Sequence, residues 1–390
     1  MDLFDKCKKT EHIDEAINMG IYPYFHALES KQDTEVIIDG HRTIMLGSNN
    51  YMGLTSDPRT ISAGIEAMQK YGTGCSGSRF LNGTLVLHEE LEKKLSAFVK
   101  KEDAMTFSTG FQSNLGIISA ICSKGDYIIS DRENHASIVD GQRLSFAKTV
   151  KYIHSDMDDL KRILETIPLD APKLIITDGV FSMGGDIAKL PDIYDLAQKY
   201  NARIMVDDAH GLGMIGECGR GTANYYGMDN EIDIIMSTFS KSLASLGGFV
   251  ASRADVIKYV KHISRPFIFS ASIPPANAAV AIKALEILEN EPQRQKQLMD
   301  NGNYMREGYK KLGLKIGNSQ TAIIPIFTET SERTFRICKM LLDAGVYVNP
   351  VVAPAVPEGE CLLRTSYTAT HTKEQLDFAL SCFEKVFKAI

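Results

Sequence analysis

Arg203-Ile204-Met205-Val206-Asp207-Asp208-Ala209-His210-Gly211-Leu212-Gly213 runs from apolar residues into a carboxylate pair, a histidine and two glycines. A short apolar run that ends in turn residues reads as a buried strand, which puts Asp207 at its carboxyl end. Ile232-Asp233-Ile234-Ile235-Met236 is a second such run, followed by Ser237-Thr238-Phe239-Ser240-Lys241-Ser242 and then Gly247-Gly248. In open α/β sheets, ligands bind beyond the carboxyl ends of the strands. Taken singly, neither residue decides anything. Most lysines are solvated surface charges, and Asp207 reads equally well as a helix N-cap or turn residue.

Two more runs share this build. Tyr127-Ile128-Ile129-Ser130 leads to Asn134-His135-Ala136-Ser137. Phe107-Ser108-Thr109-Gly110-Phe111-Gln112-Ser113-Asn114 turns at a glycine into the apolar pattern Leu115, Ile117, Ile118. The amides of Gly110 and Phe111 then open a helix, a ready phosphate site. The set comprises an amine able to form a Schiff base, a carboxylate for a pyridinium nitrogen, an imidazole to stack on a ring and a phosphate cradle. Together these point to pyridoxal 5′-phosphate (PLP) as cofactor.

Working outward, the 390 residues suit a large domain and a smaller one. Residues 1–45 read as an N-terminal arm with a hairpin, Val36 to Met45, turning at Asp39-Gly40. Residues 46–275 alternate strand and helix patterns. Strands are expected near Met105-Phe107, Tyr127-Ile129, Lys151-Ile153, Leu174-Thr177, Ile204-Asp207, Ile234-Ser237 and Phe249-Ala251. Helices are expected over Leu190–Tyr200 and Ala254–Ile263. Such alternation gives an α/β fold with a mainly parallel sheet covered on both faces. Pro274-Pro275 breaks the chain. Residues 276–390 read as one long linking helix, to about Leu312, and a small α+β domain closed by a helix over Lys373–Lys388.

Composition narrows the function. Hydrophobic residues are 44% and charged residues 24%, an ordinary globular balance. The net charge of -6 disfavours nucleic acid as a partner. The seven scattered cysteines form no C-x-x-C pair, which fits a reducing, cytoplasmic setting. No stretch approaches the ~20 apolar residues of a membrane helix, and Met1 to Lys9 has no signal-peptide core. Peripheral contact with a membrane stays open.

Several motifs mislead. Gly72-Thr73-Gly74-Cys75-Ser76-Gly77 matches a dinucleotide fingerprint, but a helical pattern precedes it and none opens at Gly77. It reads as a substrate-site loop or as an ordinary flexible one. Asp207-Asp208-Ala209-His210 mimics a helicase box, yet the chain has no G-x-x-x-x-G-K-[ST] loop. His88-Glu89-Glu90-Leu91-Glu92 lacks the second histidine of a zinc helix and reads as an amphipathic helix with a solvated acidic face. No ligand-spaced cluster accompanies His135 or His210, so no metal is expected. Arg364, after Leu362-Leu363, reads alone as a structural ion-pair partner.

Beyond these runs the chain carries Ser48-Asn49-Asn50-Tyr51-Met52-Gly53-Leu54, Tyr71 through Arg79, Gly83-Thr84 and His88. It also carries Asp178-Gly179-Val180-Phe181-Ser182-Met183-Gly184-Gly185-Asp186, Leu363-Arg364-Thr365-Ser366 and Ala369-Thr370-His371-Thr372. Over nearly its whole length it resembles the α-oxoamine synthase family of PLP enzymes. The resemblance implies the aminotransferase-like fold of type I and a decarboxylative condensation of an amino acid with an acyl-CoA. Gly77 to Thr84, Thr238 to Ser242 and Ala369 to Thr372 resemble the branch that joins L-serine to a long-chain acyl-CoA. The rival is a sibling that uses glycine, alanine or cysteate. A non-catalytic relative of the fold is disfavoured by the intact Lys241.

The resemblance also assigns roles. Lys241 holds PLP and acts as base, Asp207 meets the ring nitrogen, His135 stacks on the ring and His210 meets the phenolic oxygen. Ser182 lies near the cofactor. Gly110, Phe111, Thr238 and Ser240 hold the phosphate, and Ser270 reaches the phosphate in the neighbouring subunit of a homodimer with shared sites. Arg364 pairs with the amino-acid carboxylate, and Asn50 contacts substrate. Two positions depart from the family pattern: Phe111 replaces a frequent Tyr, and Gly211 replaces a frequent Ser.

Overall fold

The computed structural model describes residues 2–357 and 359–390. The chain divides into two compact units. The larger holds Asn49–Asp300 and Thr368–Thr370; the smaller holds the segment ending at Ser48 together with Asn301–Tyr367 and His371–Ile390.

This division corrects the three segments expected from the sequence. The hairpin is present as β1 (Glu35–Ile38) and β2 (His41–Met45), paired antiparallel. Asp39 and Gly40, at φ 49° and 73°, supply the two left-handed residues that its tight turn requires. It is not a separate arm, however, because β2 also pairs in parallel with Val346-Tyr347 and so belongs to the smaller unit. The expected linking helix is two helices, Pro275–Asn290 and Gln293–Lys311. Pro292 divides them, since it lacks an N–H and its ring collides with the preceding turn. The first packs on the helices Pro58–Tyr71 and Val86–Phe98 of the larger unit. On it Ala278, Ala281, Ala284 and Leu285 are buried, and the larger unit runs to 300 rather than 275.

All seven strands expected in the larger unit form one sheet. They are β3 (Asp103–Phe107), β4 (Tyr127–Asp131), β5 (Lys148–Tyr152), β6 (Lys173–Asp178), β7 (Arg203–Asp207), β8 (Ile234–Thr238) and β9 (Gly248–Ser252). The order is β3-β9-β8-β7-β6-β4-β5. β8, β7, β6, β4 and β5 run parallel, and β9 is antiparallel to both neighbours. β5 begins earlier than expected because it is an edge strand with a largely exposed face, so its apolar signal is weak.

β6, β8 and β9 are buried at every position, which is what cover on both faces demands. On one face, Met105, Ile128, Ile176, Met205 and Met236 pack with Ile117, Ile138 and Ile257 from the covering helices. Each such side chain contributes roughly 1.5–3 kcal/mol when fully buried. The alternation therefore leaves the carboxyl ends of β3, β4, β6, β7 and β8 at the same edge.

In the smaller unit, β10 (Ile323–Glu329), β11 (Val346–Tyr347), β12 (Asn349–Val351) and β13 (Cys361–Ser366) complete the strands. β10, β13 and β12 form an antiparallel sheet in that order. The closing helix, Lys373–Ala389, starts with a reciprocal cap between Thr372 and Gln375.

The glycine-rich segment is a packed turn rather than a flexible one. Gly77 accepts from the amide of Ser272 at 3.0 Å, and a Cβ at Gly83 would lie 2.2 Å from the Gly77 carbonyl oxygen. Nor is the acidic face after His88 wholly solvated. Glu92 is buried and paired with Arg79 at 2.6 Å. His88 is buried as well; its Nδ1 accepts from the Leu85 amide that opens the helix.

Candidate active site

A cavity of about 250 Å³ opens at the carboxyl edge of the large sheet. Five strand ends feed it. Gly110 and Phe111 come from the turn after β3, His135 and Ser137 from the turn after β4, and Asp178 ends β6. Asp207 and His210 close β7, and Thr238, Ser240 and Lys241 follow from β8. Eight of the residues singled out in the sequence thus line one space.

The helix Gly110–Ile121 is capped by Thr109, whose Oγ1 accepts from the Gln112 amide at 3.1 Å. Its first amides, those of Gly110 and Phe111, have no carbonyl inside the helix to bond. A Cβ at Gly110 would lie 2.7 Å from Thr238 Oγ1, so only glycine lets this helix start come so close to the Thr238 turn. Thr238 Oγ1 lies 2.9 Å from Ser240 Oγ and accepts from the Ser240 amide at 3.3 Å. Two amides, two hydroxyls and the positive end of a helix dipole converge here, the donor set an anionic phosphate needs.

Asp207 is buried, and each of its oxygens accepts a hydrogen bond. Asn114 Nδ2 donates to Oδ2 at 2.6 Å and the Ala209 amide to Oδ1 at 3.0 Å. The same Asn114 amide donates to Ser137 Oγ at 2.8 Å. The Ser137 hydroxyl lies 2.7 Å from His135 Nδ1, and the Ser137 amide donates to that nitrogen at 3.3 Å. Nδ1 is therefore an acceptor, and the neutral ring carries its proton on Nε2. Burial pushes the His135 pKa below the usual histidine range, and Lys241 adds to this against the opposing pull of Asp207. The Phe111 ring meets His135 edge to face at 6.4 Å, an apolar contact that needs no ring hydroxyl.

Lys241 Nζ donates to His210 Nε2 at 2.8 Å, and His210 Nδ1 lies 2.7 Å from the Tyr51 hydroxyl. Tyr51 in turn donates to Asn49 Oδ1 at 3.1 Å. These residues fit PLP on the structure's own terms: a glycine-cleared phosphate cradle, a doubly bonded buried carboxylate and an amine in one cavity.

The structure does not bring every expected residue to the lining. Ser182 stands in the turn after β6 and Ser270 after the helix Arg265–Ile268, where its Oγ accepts from Gln112 Nε2 at 3.0 Å. Asn50 is buried, and its side chain closes a local turn, accepting from Leu54 N at 3.0 Å and donating to Thr55 Oγ1 at 2.6 Å. Arg364 belongs to the smaller unit, buried on β13 opposite Pro325 and Asn349.

Conversely, the sequence reading missed Tyr51, Asn114, Ser137 and Asp178. Asn114 lies four residues past Gly110 and so shares its helix face, a signal that was legible. What that face meets is not written locally.

The aminotransferase class I and II family model matches residues 42–383. The chain belongs to this family. Within it, the chain is 55% identical over 376 residues to the serine palmitoyltransferase of Sphingobacterium spiritivorum, covering 96% of this chain and 94% of that protein. It is 45% identical to the 8-amino-7-oxononanoate synthase of Thermoanaerobacter pseudethanolicus, over 97% and 96% of the two chains. A variant serine palmitoyltransferase of S. paucimobilis, solved with PLP–myriocin bound, superposes with a TM-score of 0.97 at 38% identity and covers 100% of this chain and 99% of its own. These relatives place the chain in the α-oxoamine synthase branch of the aminotransferase class I and II family, whose members use PLP. No helix among the described residues is long and apolar enough to cross a membrane.

Proposed function

We propose that this protein is a serine palmitoyltransferase: it condenses L-serine with a long-chain acyl-CoA, palmitoyl-CoA foremost, releasing CoA and CO2 and forming 3-ketodihydrosphingosine, the first step of sphingolipid synthesis. The observation that carries this reading is the 55% identity to a serine palmitoyltransferase over nearly the full chain, against 45% for a synthase of the sibling type.

When bound, PLP supplies the electron sink that makes the amino acid's Cα–H acidic. The protein's residues do the rest. Lys241 Nζ would hold the cofactor and is the amine that would take the Cα proton. Asp207, with a donor on each oxygen, would face the ring nitrogen. His135, neutral and fixed by Ser137, offers a flat face to the ring. His210, braced by Tyr51, orients Lys241 Nζ and meets the phenolic oxygen.

Gly110, Phe111, Thr238 and Ser240 hold the phosphate. Ser182 borders the cofactor, Asn50 borders the substrate and Arg364 pairs with the substrate carboxylate. Ser270 completes the phosphate site of a second copy, so the protein works as a cytoplasmic homodimer; peripheral membrane contact would bring it to its acyl donor.

The test is a matrix of L-serine, glycine, L-alanine and L-cysteate against acyl-CoAs of increasing length, read by free thiol release. L-Serine with a C16-range thioester is expected to lead. Preference for another amino acid would keep the family and overturn the named activity.

A further inference from the structure

We infer that Asp178 is a positioning residue of this site, one that keeps its proton so that Asp207 is the sole anion of the pair. Asp178 and Asp207 are register partners on the adjacent strands β6 and β7, both buried and both on the cavity wall. Two neighbouring buried carboxyls do not both ionise, and the one with more donors keeps the charge. Asp207 has a donor on each oxygen. Asp178 has the backbone N–H of His135 beside its carboxyl, whereas its Oδ1 is buried with no hydrogen-bond partner among the described residues. An ionised oxygen left so would be desolvated without compensation. A hydroxyl there is a donor on the cavity wall.

The surroundings agree from every side. Asp207 faces Asp178 from β7, Asp131 from β4, Lys241 from the turn after β8, and His135 through its amide. Tyr152 of β5 also feels it, with a phenol that burial keeps protonated. Burial first, and then the charge of Asp207, raises the Asp178 pKa well above the carboxylate range; the His135 amide and Lys241 oppose this and lose.

Two consequences follow for the site. A second negative charge beside His135 would favour its imidazolium form, so a neutral Asp178 keeps that ring neutral. The Asp178 carboxyl also lies beside the backbone amide of His135, so its charge state acts on the residue that carries the ring. The inference deepens the proposed reading, since it rests on Asp207 as the cofactor's charged partner.

The experiment is infrared spectroscopy of the cofactor-free protein at about pH 8, above the titration of buried Asp208 at about 6. A carbonyl band of a protonated carboxyl is expected, lost in Asp178→Asn and kept in Asp208→Asn. Absence of the band in the native protein, or its survival in Asp178→Asn, overturns the inference. Should Asp178→Asn fail to fold, Asp178→Glu serves: the band moves if it belongs to this residue, and a band that stays put overturns the assignment. In the holoprotein, the visible cofactor band of Asp178→Asn is expected to titrate as in the native protein, because one neutral group replaces another. A displacement of about one pH unit would mean that a charge had been removed, against the inference. Failure of the native protein to bind PLP would instead overturn the proposed function and leave the infrared result standing.

Discussion

A Cβ at Gly211 would lie 1.9 Å from Asp208 Oδ1. Asp208 is buried, and both its oxygens are engaged by Thr222, through the amide at 2.7 Å and the hydroxyl at 2.6 Å. Burial pushes its pKa up, and these bonds hold it to about 6. The glycine that departs from the family pattern thus makes room for a carboxylate. Gly211→Ser is expected to lower stability by ~1–3 kcal/mol, the cost of overpacking a filled interior, read as a lower midpoint in urea with an unchanged slope. Asp207→Asn belongs to the same scale. Both neighbours of Asp207 are donors, so an amide must leave one of them unpaired, at about 1–3 kcal/mol. It also replaces the carboxylate proposed to face the ring nitrogen. Solvent-deuterium exchange at L-serine Cα, measured without acyl-CoA, is expected to fall by more than about tenfold while the fold persists; exchange near the native rate would show that Asp207 is not the ring's partner.

Individual strands and helices carry the next level of control. The helix Gly110–Ile121 can begin beside Thr238 because residue 110 lacks a Cβ. In Gly110→Ala, helix propensity improves while the cradle is obstructed. The expected result is a PLP affinity weaker by roughly tenfold or more, together with a lower melting temperature of the cofactor-free protein from the forced contact with Thr238. Spectral titration and melting curves, taken together, would separate the two.

His154 acts between elements: its Nδ1 meets Asp131 at the end of β4, and its Nε2 meets Asp186 in the turn after β6, each at 3.0 Å. Burial alone would lower its pKa, but the bonds to these two carboxylates push it up to about 10. The folded value exceeds the unfolded one, so the stabilisation is complete below about pH 6.5 and is lost as pH rises through about 10. Roughly 2–4 kcal/mol should fade across that window, reduced from the full shift because solvent screens a half-buried pair. Melting temperatures of the native protein and His154→Gln, compared between about pH 7 and 10, are expected to converge. Strands and helices were largely legible at this scale, since two-sided burial writes continuous apolar runs. Pro292 and the edge strand β5 were the exceptions, one a single residue inside a helical pattern and the other a strand with only Tyr152 fully buried to mark it.

For the whole molecule, the expectation is a homodimer. Phe269, directly before Ser270, is 77% exposed, as are much of Leu81 (76%) and half of Leu246 on the cavity wall (50%). Apolar side chains left so open beside a site are what a second copy would cover. Phe269→Glu is expected to shift sedimentation toward the monomer and to weaken PLP retention together. A monomer that holds PLP at native strength would detach Ser270 from the phosphate site.

The sequence by itself determined the alternation of strand and helix, the edge at which ligands bind, and the residue types that PLP needs, because each is encoded within a few residues by burial and turn chemistry. Only the tertiary structure decided that the N-terminal hairpin joins the smaller unit through Val346-Tyr347, that Asn114 bridges Asp207 and Ser137, and that Asp178 stands beside Asp207. Those are meetings between residues far apart in the chain. Their distances and their shared burial, and so their protonation, exist only once the sheet has assembled.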